Sequence, residues 1–219
     1  MQAERLLAVG AELAEGPVWD KQAQEVVWVD VLAGRVNRLS LNGQVGPSAQ
    51  LPSSVGAVAF ATNNAWFGAT PDGLRRLEDH FLAVGLPQQG SGLRMNDGKV
   101  DPQGRFVGGT MTIGRPRKGA GSLWSFDGAG VRMLVDNVTI SNGLAWSADG
   151  RTMFYVDTPT QRIDAFDYNP LSGAVANRRP WAHIPSEVGA PDGMCIDVEG
   201  GLWVALWGGS AVVRLLDGA

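Results

Sequence analysis

A motif that recurs along the chain constrains its fold more than any other feature. Three segments open with Asn or Asp and reach a turn glycine eight positions later. They are residues 96–104, 142–150 and 192–200. An apolar stretch with the composition of a β-strand follows each turn, at 105–108, 152–156 and 202–206. The chain is therefore built from repeated units, and the fold has to accommodate them in series.

Two earlier units fit the pattern more loosely. Glu15 leads through a polar turn into residues 26–30, while the unit that begins at Gly56 has the strands but no acidic or amide first residue. Units thus start near residues 15, 55, 96, 142 and 192. A spacing of about 40–50 residues is typical of propeller blades with four strands each. We predict an all-β fold, a β-propeller, with residues 1–219 forming one domain.

Composition excludes several other classes. With 44% hydrophobic residues the chain is globular, yet no apolar run approaches the roughly 20 residues that span a membrane. The first fifteen residues lack the features of a secretory signal, so we expect a cytoplasmic protein without a membrane partner. The net charge of −4 argues against nucleic acid as a partner. Cys195 is the only cysteine and lies in an apolar run, so we expect a buried structural thiol.

The first residues of the units provide a candidate site. In a propeller the first strand of each blade lines the central channel, so equivalent positions in successive blades point at one axis. We therefore expect Glu15, Asn96, Asn142 and Asp192 to converge. Two carboxylates and two amide oxygens suit a hard cation, Ca²⁺ in the first place, with Mg²⁺ or Mn²⁺ as alternatives. The competing interpretation is that each Asn-Gly or Asp-Gly pair only forms a turn.

Several motifs, in order along nearly the whole chain, resemble the family of regucalcin (senescence marker protein), gluconolactonases and luciferin-regenerating enzyme. The motifs are AEGPVWD at 14–20, RMNDGKVD at 94–101, GTM at 109–111, SNGLAW at 141–146, YVDT at 155–158, PDGM at 191–194 and GLWVALWGG at 201–209. The resemblance implies a six-bladed propeller with one divalent cation at the mouth of its channel. It also implies hydrolysis of sugar lactones or, in some members, of organophosphate esters.

The same resemblance assigns roles to individual residues. Glu15, Asn142 and Asp192 match the metal ligands. Our own hypothesis is that Asp192 is also the catalytic general base. Arg94 and Asn96 match the segment that contacts the substrate. The cofactor would be one divalent cation, Ca²⁺ in the first place, with Zn²⁺, Mn²⁺ and Mg²⁺ as alternatives.

Two features depart from the family pattern. Regucalcin-like members place an acidic residue after Gly-Thr-Met, whereas residues 112–115 read Thr-Ile-Gly-Arg, so a regucalcin-like sugar preference cannot be carried over. Only five units are present, so we expect the last blade, roughly 40–45 residues, to be missing at the C-terminal end. A fragment of a longer sequence, a ring with fewer blades, or self-association through an open blade edge would account for this.

Three function classes remain open from the sequence. The first is a metal-dependent lactonase whose partner is a small-molecule sugar lactone. The second is an organophosphate or other ester hydrolase with the same metal site, and the third is a non-catalytic calcium-binding propeller. The chain has neither a Gly-x-Ser-x-Gly elbow nor a phosphate-binding loop with lysine. Trp207, which precedes Gly208 and Gly209, is a candidate to line a pocket.

Overall fold

The repeated units form successive sheets arranged in chain order. The computed structural model describes residues 4–46, 48–61, 65–87, 92–127 and 130–216. Within these ranges the chain contains nineteen β-strands in five antiparallel sheets, and each sheet pairs its strands in the order in which they follow one another. The prediction of an all-β propeller is confirmed for these five blades.

The strands of each blade run from the centre outward. Blade 1 contains β1 (Ala14–Asp20), β2 (Glu25–Asp30), β3 (Arg35–Ser40) and β4 (Ala49–Gln50). Blade 2 contains β5 (Val58–Phe60), β6 (Trp66–Thr70), β7 (Gly73–Arg76) and β8 (Leu82–Gly85). Blade 3 contains β9 (Leu93–Val100), β10 (Phe106–Thr112), β11 (Gly121–Asp127) and β12 (Gly130–Val138). Blade 4 contains β13 (Ser141–Trp146), β14 (Thr152–Asp157), β15 (Arg162–Asn169) and β16 (Ala174–His183). Blade 5 contains β17 (Ala190–Ile196), β18 (Leu202–Trp207) and β19 (Ala211–Leu215), and short 3₁₀ turns occupy Thr158–Thr160 and Ser186–Val188.

The first strands of neighbouring blades lie against one another. Strand β5 contacts both β1 and β9, and β13 contacts both β9 and β17. Their approach is closest at two glycines. A Cβ atom on Gly56 would lie 2.4 Å from the backbone oxygen of Asn96, and one on Gly143 would lie 2.6 Å from that of Asp192. Because no side chain fits at such distances, glycine at these positions lets the inner strands, and the residues they carry, come together.

Apolar side chains fill the spaces between adjacent blades in four clusters. Each cluster joins residues of two successive blades, so every blade except the outermost described ones is covered on both faces. Members from the two sides of each interface are, for example, Val29 and Val58 between blades 1 and 2, and Phe154 and Leu206 between blades 4 and 5. The blades therefore hold their order mainly by burial of apolar surface, which is the dominant favourable contribution to folding.

A buried carboxylate adds a specific link between blades 3 and 4. The Asp101 side chain is fully buried in the turn between β9 and β10. It accepts hydrogen bonds from the backbone N–H of Gln103 (2.9 Å) and Arg105 (2.8 Å) and from Arg105 Nε (2.7 Å). The Tyr168 hydroxyl, from β15, also donates to it. One side chain thus shapes a turn and anchors the next blade.

We expect Asp101→Ala to lower the free energy of unfolding by about 3–5 kcal/mol, because it leaves the nearly buried Arg105 without its charge partner. Asp149→Ala is the matched control. Asp149 is exposed in the corresponding turn of blade 4, where it accepts hydrogen bonds from Ser147 and from the backbone of Arg151, so a much smaller loss is expected. Urea unfolding followed by tryptophan fluorescence measures both, and equal losses would contradict a special role for Asp101.

The expectation of a buried Cys195 is wrong, because its side chain is exposed. Successive residues of a strand face opposite sides of the sheet. Met194 lies in the core between blades 4 and 5, so its neighbour Cys195 lies on the other face of blade 5, paired with Trp203 of β18.

Several expectations lie beyond what the described residues test. No helix in the described part of the chain is long and apolar enough to cross a membrane. The cytoplasmic location, the six-bladed ring, the missing last blade and self-association through a blade edge stay predictions.

Candidate functional site

The polar first residues Glu15, Asn96, Asn142 and Asp192 lie on the first strands of four blades, each at an irregularity in strand pairing. The register of β1 with β2 shifts just after Glu15. Between β9 and β10 it shifts around Asn96, between β13 and β14 around Asn142, and between β17 and β18 around Asp192. Such bulges redirect side chains and recur beside functional sites. The same local distortion therefore presents one polar side chain from each of these four blades.

All four of these polar residues lie inside the first strand of their blade, near its beginning. Strand β5, whose unit has no acidic or amide first residue, pairs with β6 in regular register. Just before it, the Ala69 oxygen accepts from the Gly56 N–H at 2.8 Å while the Ala69 N–H donates to the Ala57 oxygen at 2.9 Å. Two residues there oppose one, so blade 2 has the same kind of bulge without a polar residue.

One cavity, about 500 Å³ in volume, brings the predicted residues together. Its lining includes Glu15, Arg94, Asn96, Asn142 and Asp192. Residues far apart in the chain therefore share one concave site, as the channel geometry predicts. Their roles in binding or catalysis stay predictions.

The rest of the lining is largely apolar. Its other members with side chains are Leu13, Asp97, Met111, Pro116, Ile140, Thr158, Pro159, Gln161, Ala190 and Trp207. Trp207 is 72% exposed and lines the cavity, as the sequence suggested. A cavity with clustered polar groups and an otherwise apolar wall is typical of small-molecule sites.

Asn96 and Asn142 hold each other in place. Asn96 Nδ2 donates to Asn142 Oδ1 and to the backbone oxygen of Ser141, both at 2.8 Å, while Asn96 Oδ1 accepts from Arg94 Nη1 at 2.7 Å. Asn142 Nδ2 donates to Thr158 Oγ1 at 2.7 Å. These bonds fix both amides, and Asn142 Oδ1 keeps a second lone pair for a further partner.

The acidic residues of the cavity affect one another. Burial, followed by the charges of Asp192 and Asp97, raises the pKa of Glu15 to about 7, against the opposing effect of Arg94. Burial and then Asp97 also raise the pKa of Asp192. A bound cation or proton reduces the electrostatic repulsion between carboxylates that are held together in this way. The electrostatics of the cavity thus favour a positively charged ligand.

Three further polar residues that were not predicted as site residues also line the cavity: Asp97, Thr158 and Gln161. Alternation in a regular strand would put Asp97 on the face opposite Asn96, but the bulge brings both to the cavity. Burial raises the pKa of Asp97, and the nearby Lys99 ammonium opposes that rise. Lys99 Nζ donates to the backbone oxygen of Met194 at 2.7 Å and so links blade 3 to blade 5.

The donor set fits a hard divalent cation. Glu15 and Asp192 offer carboxylates and Asn142 an amide oxygen, which are the ligand types that Ca²⁺ and Mg²⁺ prefer. Among the described residues no three His, Cys, Asp or Glu side chains form a metal-binding group. The predicted set contains two carboxylates, so it depends on the Asn142 oxygen as its third ligand.

The sequence profile of the family described as "SMP-30/Gluconolactonase/LRE-like region" matches residues 13–217. This range includes all five predicted site residues. The chain belongs to this family. The resemblance inferred from the motifs is confirmed.

Individual proteins that are similar to this SMP-30/gluconolactonase-like chain support the same family assignment. It is 38% identical over 211 residues to the Bacillus subtilis protein named "Putative sugar lactone lactonase YvrE", an alignment covering 94% of this chain and 72% of that one. It is 35% identical over 213 residues to regucalcin of Xenopus laevis, covering 93% and 71%. The solved structure of a calcium-binding protein, regucalcin, from Agrobacterium tumefaciens superposes with a TM-score of 0.87 at 29% identity, covering 94% and 72%.

Proposed function

We propose that this chain is a metal-dependent lactonase that opens a sugar lactone by hydrolysis. The observation that carries the proposal is the single cavity in which Glu15, Asn142 and Asp192 meet beside Arg94. The name of the Bacillus subtilis relative, a sugar lactone lactonase, supports the same substrate class.

In this proposal Glu15, Asn142 and Asp192 hold one divalent cation. Their oxygen atoms favour Ca²⁺ and also accept Mg²⁺ or Mn²⁺, while Zn²⁺ more often has nitrogen or sulfur ligands. When bound, the cation polarises the lactone carbonyl and lowers the pKa of nearby water. The hydrogen bonds of Asn142 to Asn96 and Thr158 keep its oxygen in position without rearrangement.

Asp192 acts as the general base. It takes a proton from the water whose oxygen attacks the carbonyl carbon, and the bond from that carbon to the ring oxygen then breaks. Asp192 returns the proton to the departing ring oxygen, so the product is a hydroxy acid. Burial and Asp97 raise the pKa of Asp192, which opposes the loss of basicity that a neighbouring cation causes.

Arg94 and Asn96 have different parts in binding. Arg94 lines the cavity and donates to a carbonyl or hydroxyl oxygen of the substrate. The Asn96 amide already bonds Arg94, Asn142 and the backbone of Ser141. It is therefore a positioning residue that holds a substrate donor and a metal ligand at a fixed separation.

An ester hydrolase that accepts phosphotriesters is the second candidate. The apolar part of the cavity wall, which includes Met111, Ile140 and Trp207, favours it because such substrates carry apolar groups. Both candidates use the same residues around the cation.

Assays of the purified chain distinguish these functions. A panel of aldonolactones and an aryl phosphotriester is tested with Ca²⁺, Mg²⁺, Mn²⁺, Zn²⁺ or a chelator. We expect lactone hydrolysis that the chelator abolishes and Ca²⁺ restores. Turnover of the phosphotriester alone would favour the second candidate. Cation binding by calorimetry without turnover of any substrate would contradict both and leave a calcium-binding propeller.

A further inference from the structure

Gln161 lines the cavity from a position where its backbone is hydrogen-bonded on both sides. It follows the 3₁₀ turn at Thr158–Thr160, and its backbone lies in the left-handed region with φ of 54°. Its N–H donates to the Thr158 oxygen at 3.1 Å, and its oxygen accepts from the Ile184 N–H at 2.9 Å. Few residues other than glycine adopt this conformation, so the chain holds Gln161 there through contacts on both sides.

The side-chain oxygen of Gln161 is buried and has no hydrogen-bond partner in the described part of the chain. Its neighbour Thr158 differs, since the Thr158 hydroxyl donates to the Pro191 oxygen at 2.9 Å and accepts from Asn142. A buried polar atom without a partner is unfavourable and calls for an explanation. At a cavity wall the simplest explanation is a partner supplied by the ligand.

The surroundings of Gln161 indicate which part of a ligand it meets. The neighbouring segments of the wall supply Ile140 and Pro159, which offer no side-chain hydrogen bonds. The carboxylates and Arg94 belong to other blades. Thr158 and Gln161 are the polar residues of this stretch of wall, and the Thr158 hydroxyl already donates and accepts. Gln161 is thus the one of the two with an acceptor left over, suited to a single substituent of the ligand.

We propose that Gln161 accepts a hydrogen bond from one ring hydroxyl of the lactone and so selects hydroxylated lactones over unsubstituted ones. The inference rests on the proposed lactonase function and adds a specificity-determining residue to it. The oxygen is an acceptor, so its partner must be a donor, and the donors of a sugar lactone are its hydroxyls. A site built to bind a hydroxyl discriminates against the analogue that lacks it, because its own polar group is then left unpaired.

The first test compares two substrates with the same six-membered ring. Gln161→Met keeps the length of the side chain and removes the amide. We expect kcat/KM for glucono-1,5-lactone to fall about tenfold, mainly through KM, as for loss of one hydrogen bond, while δ-valerolactone, which has no hydroxyls, changes less than about twofold. Gln103→Met, an exposed glutamine in the turn between β9 and β10, should change neither.

The second test identifies the hydroxyl. The unmodified protein is assayed with a series of lactones, each of which lacks one hydroxyl of glucono-1,5-lactone. For one member of the series we expect kcat/KM to be about tenfold lower than for the parent lactone. For that lactone, Gln161→Met should not lower kcat/KM any further, because the missing hydroxyl and the substitution remove the same hydrogen bond. Equal losses on all lactones, or full additivity with Gln161→Met, would overturn the inference even if the chain is a lactonase. Because the lactone series is also assayed with the unmodified protein, this test gives a result even if the Gln161→Met variant does not fold.

A binding measurement separates this inference from the proposed function. 1,5-Anhydroglucitol has the ring and hydroxyls of the sugar but no carbonyl, and calorimetry reports its affinity directly. We expect Gln161→Met to weaken that affinity about tenfold. If no lactone is hydrolysed but the polyol still binds through Gln161, the proposed function fails and the binding role stands. Equal polyol affinity in both proteins would overturn the binding role.

Discussion

Asp192→Asn is expected to lower kcat for lactone hydrolysis by about 10²–10⁴-fold while the cation still binds. Asparagine keeps an oxygen atom and the shape of the side chain, so a ligand remains at the cavity. An amide does not accept a proton from water, so the general base is lost. Steady-state kinetics at saturating Ca²⁺ give kcat, and calorimetry gives the cation affinity of the same preparation.

Asp197→Asn is the matched control for this prediction. Asp197 belongs to the same blade but accepts from Trp203 Nε1 (2.9 Å) and Arg214 Nε (2.7 Å) outside the cavity. Its replacement should leave kcat unchanged and affect stability little, because solvent screens an exposed ion pair. Undiminished turnover by Asp192→Asn with the cation bound would remove Asp192 from the chemistry.

The order of blades is predictable from the sequence because its signals are local. A turn glycine followed by an apolar run predicts a strand at 152–156 and another at 202–206, which correspond to β14 and β18. Neither signal needs knowledge of distant contacts. The polar first residues occupy equivalent positions in their units. Because every blade places its first strand at the channel, these positions predict that the side chains converge.

The details of the cavity depend on contacts that the sequence does not display. Asp97 faces the cavity because a bulge interrupts strand alternation, and no residue type marks a bulge uniquely. No sequence motif marks Gln161 as a site residue. Only its backbone conformation and the burial of its side-chain oxygen distinguish it. Cys195 shows the converse, since an apolar run does not tell which of its faces a neighbouring blade covers.

Removing the cation is expected to abolish lactone turnover and to lower the melting temperature by about 5–10 °C. The physical reason is that Glu15, Asp97 and Asp192 then repel one another without the charge of the cation to offset the repulsion. A ligand present at 100 times its dissociation constant stabilises a fold by about 2.7 kcal/mol. For a chain of this size each kcal/mol shifts the melting temperature by about 2–4 °C. Calorimetric melting with Ca²⁺ and with chelator measures the difference.

The difference in melting temperature between the Ca²⁺-bound and the cation-free protein should increase with pH. In the cation-free protein the pKa of Glu15 is about 7, raised from 4.5 by burial and by the neighbouring carboxylates. The folded state therefore binds more protons than the unfolded state between these values, so cation-free stability falls as pH rises through that window. A cation has to displace the proton on Glu15, and it does so more easily at higher pH. We expect a small Ca²⁺-induced shift at pH 5.5 and the largest shift near pH 8.

Glu15→Gln tests whether this carboxyl is the source of the effect. Without a titrating group at position 15 the cation-free protein should show a shallower decline in stability between pH 4.5 and pH 7, because only Asp97 and Asp192 then have raised pKa values in the cavity, and Ca²⁺ should stabilise it far less. Glu12→Gln, an exposed glutamate just before β1, should behave like the unmodified chain. If Glu15→Gln keeps the same pH slope and the same Ca²⁺ shift, the cation does not bind where the first strands meet.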